Sequence, residues 1–206
     1  MHIRRALGLA VMLAAFFGTQ ALIAQNREQQ EQRETRELVQ LVDAVVAGQE
    51  APADIGVQWE GNHFMKAAEG GTYIPFTVSV DASQFGAPAA GLYVRAISKD
   101  PAADPSDLPW DDVMFLDVPP DGNIQRALVL EPGEYEVLVA IKEEGLAIGT
   151  ARQAAPPAKA GLVRQDITVP GFTDTGLVIS SVLIGTISPL AAPLDEDEQK
   201  ENPYTF

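Results

Sequence analysis

The chain has 206 residues, of which 46% are hydrophobic and 21% charged, and these fractions are typical of a globular protein with one or two domains. Its formal net charge of -15 argues against nucleic acid or an anionic membrane surface as a partner, because both select basic patches. The chain contains no cysteine, which excludes disulfides, thiolate catalysis and cysteine-ligated metal sites.

Residues 1–24 have the pattern of a secretory signal peptide. A basic start with Arg4 and Arg5 precedes an apolar run, and small residues follow at the two candidate cleavage points, Ala21 and Ala24. The run is shorter than the roughly 20 residues that a membrane-spanning helix needs. We therefore predict cleavage and a periplasmic or secreted protein that contacts the membrane only transiently, through the signal peptide.

Residues 25–54 are predicted to form an N-terminal helical arm and a linker. Residues 26–47 are mostly good helix formers, but only the second half carries an apolar stripe. That stripe consists of Leu38, Leu41, Val42, Val45 and Val46. We expect only this half to pack, so that deletion of residues 25–35 leaves the melting temperature nearly unchanged. The alternative is a coiled-coil or partner-binding arm.

Residues 55–188 are predicted to form an immunoglobulin-like antiparallel β-sandwich. The clearest strand follows the turn Pro132-Gly133, where every second residue from Tyr135 to Ile141 is apolar. The opposite face also becomes apolar, at Leu138 and Ala140, which predicts a central strand. The tyrosine is expected to bond back to nearby backbone, as at the corner of such sandwiches.

Further strands are predicted at intervals of about ten residues, the spacing of a sandwich. They cover residues 55–59, 63–65, 72–81, 91–98, 113–118, 124–130, 165–169 and 177–187. Pro75 is expected to place its end of the strand at an edge or to leave it unpaired. Residues 143–161 are predicted to be a flexible connection, and residues 189–206 a disordered acidic tail.

Histidine-dependent catalysis has little support in the mature sequence. After signal cleavage His63 is the one remaining histidine, and it stands beside apolar residues. Ser180 and Ser181 lie in a predicted strand and lack the small-residue turn that exposes a nucleophile. One histidine cannot build a histidine-rich metal site. We predict no catalytic, cofactor-binding or metal-binding residues, and a protein that is not an enzyme.

Carboxylates crowd the predicted loop over residues 99–110 and the positions after it. They are Asp104, Asp107, Asp111, Asp112, Asp117 and Asp121. Oxygen clusters can hold calcium, although EF-hand spacing is absent here and aspartate is common in turns. The alternative function is therefore a carboxylate-based hydrolase or a calcium-binding domain that uses the Asp-rich loop 104–112. Convergence of Asp107, Asp111 and Asp112 on one position would favour this alternative function.

Three stretches resemble a known group of proteins. Residues 59–77 (Trp-Glu-Gly-Asn-His-Phe, then Tyr-Ile-Pro-Phe-Thr), 167–185 (Ile-Thr-Val-Pro-Gly-Phe, then Leu-Val-Ile-Ser-Ser) and 202–206 are similar to uncharacterised exported bacterial β-sandwich proteins. These are related to acidobacterial proteins with von Willebrand factor A-related or GWxTD-type regions. Neither Gly-Trp-x-Thr-Asp nor Asp-x-Ser-x-Ser occurs here, so no activity is implied. In such proteins Asn-Pro-Tyr-Thr-Phe leads into a second β domain, which implies a truncated piece of a longer chain.

The expected function is that of an exported, non-enzymatic module that binds or scaffolds a protein or glycan in the cell envelope. Its acidity is consistent with solubility outside the cytoplasm. Four aromatic residues could line a carbohydrate platform: Trp59, Tyr73, Tyr93 and Trp110. Aromatic residues in strands are more often part of the core, so this platform is the weaker expectation. No cofactor is expected.

Overall fold

The computed structural model describes residues 27–68, 70–86, 89–104, 106–145, 158–172 and 179–181. The predicted signal peptide, the acidic tail and most of the predicted strand at 177–187 lie outside the described residues. Within these ranges, no helix combines the length and the apolar character that crossing a membrane requires.

The described chain is mainly β, with two antiparallel sheets whose arrangement is compatible with a β-sandwich, as the strand spacing predicted. The described residues contain one α-helix, α1, at residues 27–46, and one short 3-10 helix, Ala82–Gln84. The strands are β1 (Val57–Asn62), β2 (Met65–Lys66), β3 (Thr72–Val80), β4 (Ala89–Ser98), β5 (Trp110–Asp117), β6 (Asn123–Leu130), β7 (Gly133–Glu143) and β8 (Ala160–Val169).

The two sheets enclose one apolar core. In the first sheet, β3 pairs with β1 and β2 on one side and with β6 on the other. The second sheet has the order β5-β4-β7-β8. Alternate residues of the central strands face the space between the sheets, because side chains in a strand point to opposite faces in turn. Those of β3 are all buried: Ile74, Phe76, Val78 and Val80.

Strand β7 is central, as its two apolar faces predicted. It pairs with β4 over nine residue pairs and with β8 over ten. The face from Tyr135 to Ile141 enters the core between the sheets, whereas Leu138 and Ala140 belong to a second apolar cluster on the outer face. The Tyr135 hydroxyl donates a hydrogen bond to the backbone oxygen of Glu131 at 3.0 Å, which confirms the predicted bond back to nearby backbone.

Helix α1 covers the outer face of the second sheet. Leu38 and Val42 are fully buried against Tyr93, Leu138 and Ala140. An amphipathic helix gains most of its stability from such packing and little from its intrinsic propensity. The second half of the helix therefore packs as its apolar stripe predicted, although Val46, at 44% exposure, faces solvent.

The first half of α1 also contacts the sheet, so the expectation that only the second half packs is wrong. Glu34 is only 4% exposed and forms an ion pair with Lys142 at the end of β7. One turn earlier, Gln30 donates a hydrogen bond to the backbone oxygen of Gly145 at 3.0 Å. The sequence pattern could not predict this contact, because an ion pair and a hydrogen bond hold this half on the sheet, and no apolar stripe marks its buried side.

Pro75 lies in a central strand, so the expectation that it marks a sheet edge is wrong. Its carbonyl oxygen accepts a hydrogen bond from the backbone N–H of His63, which lies between β1 and β2. On this side of β3, β1 ends at Asn62 and β2 begins at Met65, so no strand residue is paired with Pro75. The proline nitrogen faces this gap between β1 and β2. A proline is tolerated there because the ladder has no bond for it to break.

Strand β8 begins earlier than predicted, at Ala160, where the sequence suggested a flexible connection ending at Gly161. The glycine is needed for close packing: a Cβ at this position would lie 2.1 Å from the backbone oxygen of Ile55. The segment before β1 crosses here, and Ala53 forms an isolated bridge with Gly161. A glycine that permits close backbone approach is easily mistaken for a loop residue.

Candidate functional site

Two carboxylates of the Asp-rich region, those of Asp104 and Asp121, stabilise turns. The Asp104 carboxylate accepts hydrogen bonds from the hydroxyl and backbone N–H of Ser106, and these bonds lower its pKa. The Asp121 carboxylate accepts the backbone N–H and side-chain amide of Asn123, which also lower its pKa. Both are the Asx arrangement that makes aspartate common in turns.

The structure does not bring Asp107, Asp111 and Asp112 to one position. Asp111 and Asp112 are consecutive residues of β5 and therefore point to opposite faces of the sheet. Asp111 accepts a hydrogen bond from Tyr93 on the outer face. Asp112 lies where its charge acts on Arg126. In the described residues, no three histidine, aspartate or glutamate side chains are placed to hold a metal ion.

Asp107 instead lines a cleft at one end of the sandwich, which we call the end cleft. Its walls are the loop between β4 and β5 and the turn between β6 and β7, and its volume is about 410 Å³. The lining includes Ser98, Asp107, Pro109, Val129, Glu131 and Tyr135. This volume lies within the usual range of ligand pockets, and the lining combines apolar surface with a few polar groups.

The walls of the end cleft are fixed by hydrogen bonds. The bond between the Tyr135 hydroxyl and Glu131 holds the turn between β6 and β7. On the opposite wall, the backbone N–H of Lys99 donates to the Glu134 oxygen at 2.9 Å. Burial and the charge of Glu131 raise the pKa of Tyr135 above its ordinary value. The cleft is therefore built on preorganised backbone.

Three of the four aromatic residues considered for a carbohydrate platform are packed into the fold. Trp59 stacks on Phe76 with ring centroids 4.7 Å apart, and Trp110 packs against the same core. Tyr93 is completely buried under α1. The predicted platform therefore does not form from this set, and the core explanation of these residues is correct.

The segments of His63 and Ser181 are neighbours, which the sequence did not predict. The hydroxyl of Ser181 accepts the backbone N–H of Phe64 at 3.0 Å, and the backbone N–H of Ser181 donates to the Phe64 oxygen. Ser180 bonds only to the oxygen of Ser181 in the described part of the chain. These contacts engage the serine with backbone, an arrangement that differs from a nucleophile activated by a base.

A chain of polar contacts connects α1 with β4 and β5, and we call it the outer-face network. The Arg95 guanidinium donates to the Asp43 carboxylate at 2.6 Å and to the Tyr93 hydroxyl at 2.7 Å. The Tyr93 hydroxyl donates in turn to Asp111. Arg95 is 7% exposed, and a buried guanidinium is stable only when its charge is paired. The signal for this network is the single arginine in the otherwise uncharged strand β4.

A second polar group lies nearer the middle of α1. The Lys142 ammonium contacts Glu34 and lies 2.8 Å from the Glu37 carboxylate. Burial opposes its charge, but the hydrogen bonds to the two carboxylates outweigh burial and raise the pKa of Lys142. Glu34 also accepts the backbone N–H of Gly145 at 3.1 Å. Charged groups thus attach the helix to the sheet at two places along its length.

Replacing Tyr93 with phenylalanine is expected to alter the pH dependence of stability. Burial and the bond to Asp111 raise the pKa of Tyr93 above its ordinary value of 10.0. The protonated hydroxyl therefore stabilises the fold fully below about pH 10, and this contribution is lost as the pH rises further. Near neutral pH, Tyr93→Phe should cost about 1–3 kcal/mol, because Arg95 and Asp111 lose a buried partner.

The measurement is urea denaturation of both proteins between about pH 8 and about pH 11. We expect the difference in unfolding free energy between wild type and Tyr93→Phe to shrink above about pH 10, because only the wild type loses this contribution. A difference that stays constant over this range would contradict a raised pKa for Tyr93.

The end cleft, the outer-face network and the Lys142 group are three polar features of the described residues. The network and the Lys142 group are engaged within the protein, whereas the end cleft is open to a ligand. Comparison of the chain with protein-family models, with curated proteins and with solved structures finds no match in any of the three.

Proposed function

We propose that this protein is a non-enzymatic, immunoglobulin-like β-sandwich module that binds or scaffolds a protein or glycan partner in the cell envelope. The end cleft is the observation that carries the proposal. Its loops lie at one end of a sandwich, where domains of this architecture present their binding loops. Its apolar wall and its two carboxylates, Asp107 and Glu131, suit a partner surface that mixes apolar and hydrogen-bonding groups.

The immunoglobulin-like assignment is supported by strand order and by one side chain. The first sheet, with β3 at its centre, faces the second sheet, whose order is β5-β4-β7-β8. Within each sheet, every pair of neighbouring strands is antiparallel. Tyr135, near the start of a central strand, bonds to backbone four residues earlier, which is the corner that such sandwiches use. Export to the periplasm or beyond is supported by the signal-peptide pattern of residues 1–24.

The absence of catalysis is proposed from how the buried polar groups are used. Arg95, Tyr93 and Lys142 all bond to other groups of the protein and connect α1 to the sheet. Hydrogen bonding within the protein is enough to account for these buried polar groups without a catalytic role. The resemblance to exported bacterial β-sandwich proteins is in keeping with this proposal.

The test compares the signal-cleaved protein with two variants that add the same negative charge. Val129→Glu places a carboxylate in the end cleft, where Val129 is 36% exposed, whereas Gln58→Glu places it on the exposed face of β1. Each immobilised protein is incubated with solubilised envelope proteins and with purified envelope polysaccharide. Bound material is identified, and its affinity for each variant is measured by titration.

We expect a partner to bind the wild type and Gln58→Glu equally, and Val129→Glu at least about tenfold more weakly, a difference of about 1.4 kcal/mol. Equal binding by all three proteins would exclude the end cleft. A rise in melting temperature with added calcium that Asp107→Asn removes would instead favour the calcium-binding alternative for loop 104–112.

A further inference from the structure

Among the described residues, strand β6 is an edge strand over its whole length. All eight of its residues pair with β3, and among the described residues no strand pairs with its other side. Because Pro75 directs its carbonyl to His63 and away from β6, the pair Pro75–Ala127 lacks hydrogen bonds. The peptide groups of Gln125, Ala127 and Val129 therefore point away from β3, toward the free side. Such a row is a template for another strand.

The composition of β6 makes this edge prone to pairing. Its residues on the outward face are uncharged, and its inward residues Ile124, Leu128 and Leu130 belong to the core. It contains no proline, glycine or carboxylate. Apolar segments of this length with low charge are the ones that pair edge to edge when nothing prevents it. The single ionisable residue in the strand is Arg126.

Arg126 lies on the inward face of this edge, opposite Phe76. Its Nε contacts the Met114 sulfur, and its Nη1 donates to the backbone oxygen of Gln125 at 2.6 Å. That oxygen is one of the acceptors on the free side of β6, so the guanidinium occupies it. Burial lowers the pKa of Arg126, and the described residues give it no ion pair.

We propose that Arg126 keeps the edge of β6 from pairing with β6 of a second copy of this chain. An added strand would have to displace the guanidinium from Gln125 and would remove more water from a charge that is already partly buried. Asp112 is near enough for its charge to act on Arg126 but forms no ion pair with it in the described residues. A second β6 brings no further carboxylate, and desolvating a charge that has no ion-pair partner is costly. Inward-pointing charges are a known means by which edge strands avoid such pairing. The proposal does not depend on ligand binding in the end cleft, although Val129 belongs to both the cleft and this edge.

The test measures self-association of the signal-cleaved protein by sedimentation velocity over a wide concentration range. Arg126→Val removes the charge and frees the Gln125 oxygen. Arg126→Thr does the same but adds less apolar surface than valine does. Arg126→Lys keeps the charge. Gln125→Val adds apolar surface to the outward face of the same strand and is the matched control. Circular dichroism reports whether each variant is folded.

We expect Arg126→Val and Arg126→Thr to dimerise at least about tenfold more tightly than wild type, Arg126→Lys and Gln125→Val. Adding Ala127→Pro to either charge-free variant should restore the monomer, because proline removes an outward N–H that the second strand needs. Folded charge-free variants that remain monomeric would overturn the proposal. The proposal would also be overturned if Gln125→Val dimerised as tightly as the charge-free variants, or if dimerisation persisted after Ala127→Pro was added. Either result would show that the dimer forms through a surface other than the β6 edge.

Discussion

Replacement of Lys142 with methionine is expected to lower the free energy of unfolding by about 3–5 kcal/mol. The reason is the ion pair between Lys142 and Glu34, because the lysine side chain is only 11% exposed and the glutamate side chain only 5%. Removing the cation leaves a buried carboxylate without its charged partner, and that is one of the most costly single changes in a protein. The measurement is urea denaturation at neutral pH, with equal m-values showing that the same transition is compared.

Lys99→Met is the matched control, because Lys99 pairs with Asp166 at 2.6 Å but both side chains are largely in solvent. This change should cost no more than about 1 kcal/mol. The double variant Glu34→Leu with Lys142→Met should be more stable than Lys142→Met alone, because it leaves no buried charge. Deletion of residues 25–35 also removes Glu34 and should act in the same direction as Lys142→Met. Equal costs for the two lysine variants would contradict a buried pair.

Leu38→Ala is expected to lower the free energy of unfolding by about 2–5 kcal/mol. Leu38 is completely buried between α1 and the outer face of the second sheet. It fills the space above Gly91, where a Cβ would lie 2.7 Å from the leucine Cδ1. Truncation would leave a cavity that the strand cannot fill, so the loss includes a cavity contribution in addition to lost apolar burial.

Val46→Ala serves as the control for Leu38→Ala, since Val46 is in the same helix but 44% exposed. It should change the unfolding free energy by less than about 0.5 kcal/mol. Both variants are compared by thermal and urea denaturation. A cost for Leu38→Ala as small as that for Val46→Ala would show that α1 is not held on the sheet through this contact.

The strands could be predicted from sequence where their burial is apolar. The alternation in β3 and β7 is regular, so their positions, and the central place of β7, follow from period two. The start of β8 could not be predicted, because Gly161 is selected by the backbone of Ile55, a residue more than a hundred positions earlier. Local pattern contains no information about such a distant neighbour.

The candidate site was harder to predict than the fold. The Asp-rich loop was identified, but its carboxylates separate once β5 forms, because alternation sends Asp111 and Asp112 to opposite faces. The end cleft also needs Val129 and Glu131 from a turn about twenty residues later, and only the assembled sandwich brings them beside Asp107. The polar partners of α1 escaped prediction because Glu34 and Lys142 each have the appearance of an ordinary surface charge in sequence.

The attachment of α1 determines when the helix can form during folding. Glu34 and Lys142 are 108 residues apart, and the bond from Arg164 to the Val45 oxygen spans 119 residues. Contacts of such separation form slowly, because the intervening chain first loses the entropy of loop closure. An isolated helix of this kind is only marginally stable in water. Although α1 precedes β1 in the chain, we therefore expect its stable formation to follow assembly of β4, β7 and β8, which supply its buried apolar partners.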